Sequence, residues 1–220
     1  MRSKWMTGLF FTAFAVSISG CNSTDGIAPT GPTAFQGTIA GPAVSAVLSL
    51  TMNSPAAGTL KILGGTTINV AGTWEPATGA MSVSGGGYTI SATFANESLT
   101  GTFTGPTAPG VVAAMPAGRG TTVEVYCGTH SQTTFSHPGP NNTPGVKGFW
   151  NLVRRGSSLV GVGSDKGGSM VITGTITGTA VTIADGRASP ATGTLSGNSM
   201  SGTWSDAGDG GTWTGSTTAC

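Results

Sequence analysis

From about residue 35 onward, apolar or small residues alternate with Thr, Ser and Asn in runs of period two. Ile68, Val70, Gly72 and Trp74 fall on one side of such a run, with Thr67, Asn69, Ala71 and Thr73 on the other. Tyr88, Ile90, Ala92 and Phe94 repeat the scheme, as do Leu99, Gly101 and Phe103 with Thr100, Thr102 and Thr104 opposite. This period puts successive side chains on opposite faces of a strand, which no helix does. The runs are punctuated by Asn53-Ser54-Pro55, Gly64-Gly65, Gly85-Gly86-Gly87, Asp165-Lys166-Gly167-Gly168, Asp185-Gly186 and Gly197-Asn198. These are turn residues at hairpin spacing. Connections so short join only antiparallel neighbours, so the pattern predicts an all-β, antiparallel, up-and-down meander.

A small unit recurs within the strands: Gly72-Thr73-Trp74, Gly101-Thr102-Phe103, Gly202-Thr203-Trp204 and Gly211-Thr212-Trp213. A small residue and a large aromatic lie two apart on one face, with Thr between them on the other. Alternating small and large side chains suit the tapering interior of a small barrel, and Thr supplies β-branching without charge outside it. The unit falls in two blocks, which predicts a first β module over 35–105, a linker over 106–120 and a second module over 121–220. One continuous sheet is the alternative, because Val111 and Val112 give the linker room for a strand.

The second block holds eight candidate strands, near 121–127, 148–154, 158–163, 169–176, 179–184, 190–196, 199–205 and 211–216, the number at which an up-and-down sheet closes into a barrel. Cys127 and Cys220 are expected to pair, closing a loop of about 94 residues worth roughly 4 to 5 kcal/mol in the chain-entropy model. Two free thiols are the alternative. In a strict meander the first strand ends at one rim and the last at the other, too far apart for a disulfide. Segment 128–146 is therefore expected to cross from rim to rim as a long loop.

Composition removes whole classes of function. Charged residues make up 8% of the 220, where a soluble domain carries about 25%. Gly numbers 38, with no three-residue period, so collagen is excluded. The chain lacks the Ala, Leu, Glu and Lys of helical bundles and coiled coils. A formal charge of +1 gives no footprint for a phosphate backbone, and nucleic acid is not expected as a partner.

The amino-terminal end carries an address. Arg2 and Lys4 precede an apolar stretch from Trp5 to Ile18, too short for a finished membrane helix of about 20 residues and organised as a secretory signal peptide over 1–20. Ile18-Ser19-Gly20-Cys21 resembles the lipobox of bacterial lipoproteins: an aliphatic residue, two small ones, then the cysteine that receives diacylglycerol before cleavage. The resemblance implies that Cys21 becomes an acylated amino terminus. One acyl chain anchors only marginally, whereas several palmitate-type chains at ~0.8 kcal/mol per methylene hold firmly. Asn22 stands where Asp would resemble an inner-membrane retention signal, which favours the outer membrane of a bacterial cell envelope. Residues 21–34, rich in Pro and Gly, read as a flexible tether behind the anchor. Without Arg2 and Lys4 the mature chain holds seven basic against eight acidic residues.

Candidate chemistry is sparse. His130 and His137 share the long loop, and loops of that length are often functional. Their spacing fits no zinc pattern, and Ser131 and Ser136 lack a nucleophile elbow, so packing competes with any catalytic use. Asp165, Asp185, Asp206 and Asp209 occupy turns, where Asp caps its own backbone. Asp206-Ala207-Gly208-Asp209-Gly210 lacks the further oxygen ligands of a calcium loop. Glu75, Glu97 and Glu124 lie in separate segments, leaving a glycosidase pair open but unplaced. Arg154-Arg155 fits a hairpin turn as well as an anion site. Trp74, Trp150, Trp204 and Trp213 either stack on sugars or line a ligand cavity, with Trp150, Trp204 and Trp213 as the candidate lining, or form the core. Exposed Thr ladders could meet ice or polysaccharide, or serve only as β-branched surface.

Gly148-Phe149-Trp150-Asn151, followed by Leu159-Val160-Gly161, resembles the opening of avidin-type barrels. The polar ligand-binding side chains of that family have no placed counterpart, so biotin binding is not implied. Leu99 to Gly105 with Pro106 is similar to barrel domains of surface lipoproteins that capture host proteins. The expectation is a lipid-anchored envelope protein with non-catalytic β modules and no metal or cofactor, binding an envelope polysaccharide or a protein. A calycin-like carrier of a small apolar ligand is the alternative, ahead of a hydrolase built on 128–146.

Overall fold

The computed structural model describes residues 32–118, 120–137, 143–186 and 190–220. The stretch expected to be a signal peptide, most of the expected tether and Cys21 lie outside them. The chain forms two closed antiparallel barrels of eight strands each, with strands in chain order around each barrel.

The first barrel comprises β1 (Ala34–Gly41), β2 (Val44–Thr51), β3 (Ala56–Ile62), β4 (Thr67–Glu75), β5 (Ala80–Gly85), β6 (Tyr88–Ala95), β7 (Ser98–Thr104) and β8 (Gly110–Pro116), and closes by pairing β1 with β8. Phe35, Ile39, Leu48, Leu60, Ile90, Leu99 and Phe103 fill it. β8 lies inside the stretch expected to be linker, so the first module runs on to Pro116. Its sequence, GVVAAMP, lacks alternation because both of its faces are covered, a pattern expected of doubly buried strands.

The second barrel comprises β9 (Val123–Thr134), β10 (Gly145–Arg155), β11 (Ser158–Asp165), β12 (Gly168–Thr177), β13 (Ala180–Ala184), β14 (Ala191–Ser196), β15 (Ser199–Asp206) and β16 (Asp209–Ser216), and closes by pairing β9 with β16. The Gly-Thr-Trp units interlock as expected. Gly202 pairs with Trp213 and Trp204 with Gly211, so each indole lies over a position without a side chain. A Cβ on Gly193 would come within 2.5 Å of the Trp213 ring. The Thr residues between them face outward: Thr175, Thr182, Thr192, Thr203, Thr212 and Ser131 stand side by side across six strands. Both barrels are thus apolar inside with hydroxyl-rich outer walls, the reverse of a lipid-facing barrel.

Two expectations are corrected. Segment 128–146 is not a long loop, because β9 continues to Thr134 and β10 begins at Gly145. Nor does the disulfide need a crossing from rim to rim. Cys127 sits mid-strand opposite Ser216, and the single 3₁₀ turn Thr217–Ala219 brings Cys220 back beside it. The two cysteines are bonded, with Cα atoms 5.1 Å apart.

The barrels are packed together through a third cluster. Ala40, Ala113 and Met115 on the outer wall of the first meet Val153, Val160 and Val162 on the outer wall of the second, all buried. Asn151 is at the centre of this contact. Its Nδ2 donates to Thr38 Oγ1 (3.0 Å) and Ser45 Oγ (2.6 Å) of the first barrel, and its Oδ1 accepts from Gly128 N–H (3.1 Å). At the edge, Arg155 meets Glu97 at 3.4 Å, and Lys61 Nζ donates to the Cys220 carbonyl at 2.6 Å.

Candidate functional site

The two ends of the second barrel differ in chemistry. At one end β9 and β10 turn three inward-facing polar side chains toward each other. Tyr126 OH and Arg154 Nη1 both donate to Glu124 Oε2 at 3.0 Å. Burial, with Glu124 adding and Arg154 opposing, raises the Tyr126 phenol above its ordinary value. A closed hydrogen-bonded cluster of this kind plugs a barrel end. Sequence reading left Glu124 as one of three glutamates in separate segments and Arg154 as half of a basic pair in a hairpin turn or anion site, because their contact depends on β9 and β10 being neighbours.

The opposite end is the mouth. It is formed where β9 ends and β10 begins, where β13 ends and β14 begins, and by the β11–β12 and β15–β16 hairpins. Every Asp after residue 25 lies there, Asp165, Asp185, Asp206 and Asp209, together with both histidines, Lys147 and Lys166. In a chain with 8% charged residues, that concentration marks the rim off from the Thr-covered walls. Val146 and Met170, the exposed large hydrophobic residues among the described ones, also stand at this mouth.

Below the rim the aromatic residues form a column. His130 sits edge-on between Trp204 and Trp150, with ring centroids 6.3 and 5.9 Å away, and Trp150 stacks on Trp213 at 5.9 Å. Glycines on neighbouring strands admit the rings, and hydrogen bonds fix two of them: Trp204 Nε1 donates to the Ser131 carbonyl at 3.1 Å, and His130 Nε2 lies 3.2 Å from that of Ser164. The structure therefore brings together four of the residues singled out in the sequence. Trp213 belongs to the filled interior with Tyr126, Leu152, Ile172 and Ile183. Trp150 and His130 floor a cavity of about 340 Å³ beside the β11–β12 hairpin, and Trp204 borders an adjoining one of about 430 Å³.

His137 stands apart from His130, on the rim. Ser136 Oγ lies 3.1 Å from His137 Nδ1 and 3.1 Å from Asp209 Oδ1, and the Ser136 N–H donates to the same carboxylate oxygen at 2.8 Å. The residue types are those of a nucleophilic triad, but the order differs. Catalysis needs the imidazole between hydroxyl and carboxylate, whereas here the hydroxyl stands between the other two. With its backbone and side chain on one carboxylate, Ser136 fastens the end of β9 to the β15–β16 hairpin. Among the described residues no three His, Cys, Asp or Glu side chains are placed to share a metal ion.

Sequence reading missed Asn151, Gly163 and Ser164 as contributors. Asn151 interrupts an apolar strand and so carried a signal, but its partners lie more than a hundred residues away. Ser164 and Gly163 look like ordinary hairpin residues until the mouth is assembled around them. The outward Thr row curves with the barrel over six of its eight strands, so a flat lattice such as ice meets only a few of its hydroxyls at once. No protein-family model matches the chain, and no match is found among curated proteins.

Proposed function

We propose that the protein is a bacterial envelope lipoprotein, anchored through acylated Cys21, whose paired barrels are non-catalytic and carry a binding site at the mouth of the second. Support for the anchor comes from the sequence: a basic start, an apolar stretch and a lipobox in the right order and spacing. The observation that carries the binding role is the mouth itself. In an otherwise charge-poor molecule, ionisable groups, two exposed hydrophobic side chains and a partly open aromatic floor converge on one rim. Pockets with an aromatic lining and a few convergent polar groups are the usual form of a ligand site. The Thr-covered walls keep the molecule in water while the anchor holds it at the membrane.

Metabolic labelling with an alkyne palmitate analogue in a bacterial host tests the anchor. The wild-type chain is expected to take up label and to partition with membranes, and Cys21→Ser to do neither. Label persisting on Cys21→Ser, or an unlabelled wild type, rejects the anchor. Turnover of an envelope polymer that disappears with His130→Ala rejects the non-catalytic reading.

A further inference from the structure

β1 begins at Ala34, so the chain leading back to Cys21 leaves the first barrel at the end where β2, β4, β6 and β8 finish and β3, β5 and β7 begin. That end is closed by aromatic rings. Phe35, fully buried, packs edge-on against Trp74 at 6.1 Å and Phe94 at 5.3 Å, and these two are only half-buried. Around them stand Pro55, Pro76, Ala77 and Ala95, all exposed. Among the described residues, the charged side chains on these strand ends and hairpins are Glu75 and Glu97, and Arg155 offsets the second at 3.4 Å. The second barrel closes its adjacent end differently, with the polar cluster of Glu124, Tyr126 and Arg154. An apolar, nearly neutral end edged by a tryptophan suits the headgroup level of a bilayer, where the ring body is apolar-solvated and the indole N–H stays wet.

The point of entry decides which surface this end meets. Ala34 is the thirteenth residue after Cys21, which bounds its distance from an acylated terminus to about 45 Å. Confinement to that layer lets even a weak contact with the lipid be populated, as for any two linked sites. The other end of the first barrel also has half-buried apolar side chains, Ile62 and Ile68, but it lies a strand's length further from the entry point. Resting on the reading of Cys21 as the lipid anchor, we propose that the aromatic end of the first barrel lies on the bilayer, with Trp74 and Phe94 at headgroup level, and that the mouth of the second barrel points away from that membrane. The direction follows from how the barrels dock. Glu97, in the β6–β7 hairpin of the aromatic end, meets Arg155, and its neighbours Asn96 and Ser98 share a cleft with Ser158 and Leu159. Arg155 and Ser158 belong to the plugged end of the second barrel, and β11 runs from there to the mouth at Asp165. A ligand of the mouth then arrives from the aqueous side and not from the lipid.

The test uses the full chain, purified with its amino terminus as the bacterial host leaves it and added to preformed phosphatidylcholine vesicles with or without bromine on the upper acyl carbons. Flotation with the vesicles reports the anchor, and quenching of tryptophan emission by the brominated lipid reports the contact. The wild-type chain is expected to float and to lose the share of emission belonging to Trp74, one of the four tryptophans after residue 21. Trp74→Phe, which keeps a ring against Phe35, is expected to float unquenched. A second measurement needs no variant: Lys147 and Lys166 at the mouth are expected to react with a membrane-impermeant amine reagent as fast on vesicles as in detergent micelles. A chain that floats without quenching overturns the contact and leaves the anchor standing, whereas a chain that does not float overturns both. Quenching that persists in Trp74→Phe, or vesicles that shield the two lysines, overturns the orientation.

Discussion

Replacing Asn151 by Ala tests what holds the two barrels together. The residue is fully buried between them and makes three hydrogen bonds, of 2.6, 3.0 and 3.1 Å. Each such bond is worth about 1 kcal/mol net, and a buried N–H or hydroxyl left without its partner adds about 1 to 3 kcal/mol. Asn151→Ala removes all three and leaves the half-buried Gly128 N–H without its acceptor, a loss of about 4 to 6 kcal/mol. For a unit the size of one barrel, about 4 kcal/mol lowers the melting temperature by roughly 16 to 32 °C. Calorimetry and urea titration of the full chain measure the loss. Thr38→Val removes the same contact from the other side while Thr38 Oγ1 also gives up its 2.9 Å bond to the Ala46 carbonyl. A double-mutant cycle with Asn151→Ala is therefore expected to show a coupling of about 1 kcal/mol. A loss below about 0.5 kcal/mol, or single-mutant effects that simply add, would refute the assignment of Asn151 as the polar lock of the interface.

Two further outcomes follow from the second barrel. Replacing Cys127 and Cys220 with Ala opens a closure spanning 93 residues and is expected to cost about 4 to 5 kcal/mol in the chain-entropy model; calorimetry should show the second barrel melting earlier, and an unchanged profile contradicts this. Because burial raises the Tyr126 phenol in the folded chain, the unfolded chain loses that proton first as pH rises. The stabilisation is complete below the ordinary tyrosine value of 10.0 and is lost as pH climbs through the higher folded value. Urea midpoints should fall more steeply above pH 10.0 for wild type than for Tyr126→Phe, and parallel curves count against the burial argument.

Much of the barrel interior was legible along the chain. Trp74, Trp204 and Trp213 stand in period two with a glycine two residues earlier, and period two survives any arrangement that keeps one face in water. The Trp204 and Trp213 pairings with Gly211 and Gly202 needed only the hairpin register that the turns impose. The interface escaped the same reading. In β8 and β11 the outward positions Val111, Ala113, Val160 and Val162 are as apolar as the inward ones, so alternation disappears and β8 read as linker. His130 and Gln132 misled in the opposite direction. Their polarity made the end of β9 resemble a loop, although they are strand residues at a mouth where inward positions approach solvent.

By itself the amino-acid order determined what short-range physics can determine: strands from side-chain alternation, antiparallel pairing from turns too brief for anything else, and filled interiors from small residues set beside large ones. Tertiary structure alone decided which remote groups meet. Asn151 finds Thr38 across 113 positions, His130 enters a column of indoles, and Gly163 leaves a hollow instead of a close contact. These depend on how each sheet curls shut and which outer walls then touch, and no local pattern encodes a distance between residues far apart in the chain.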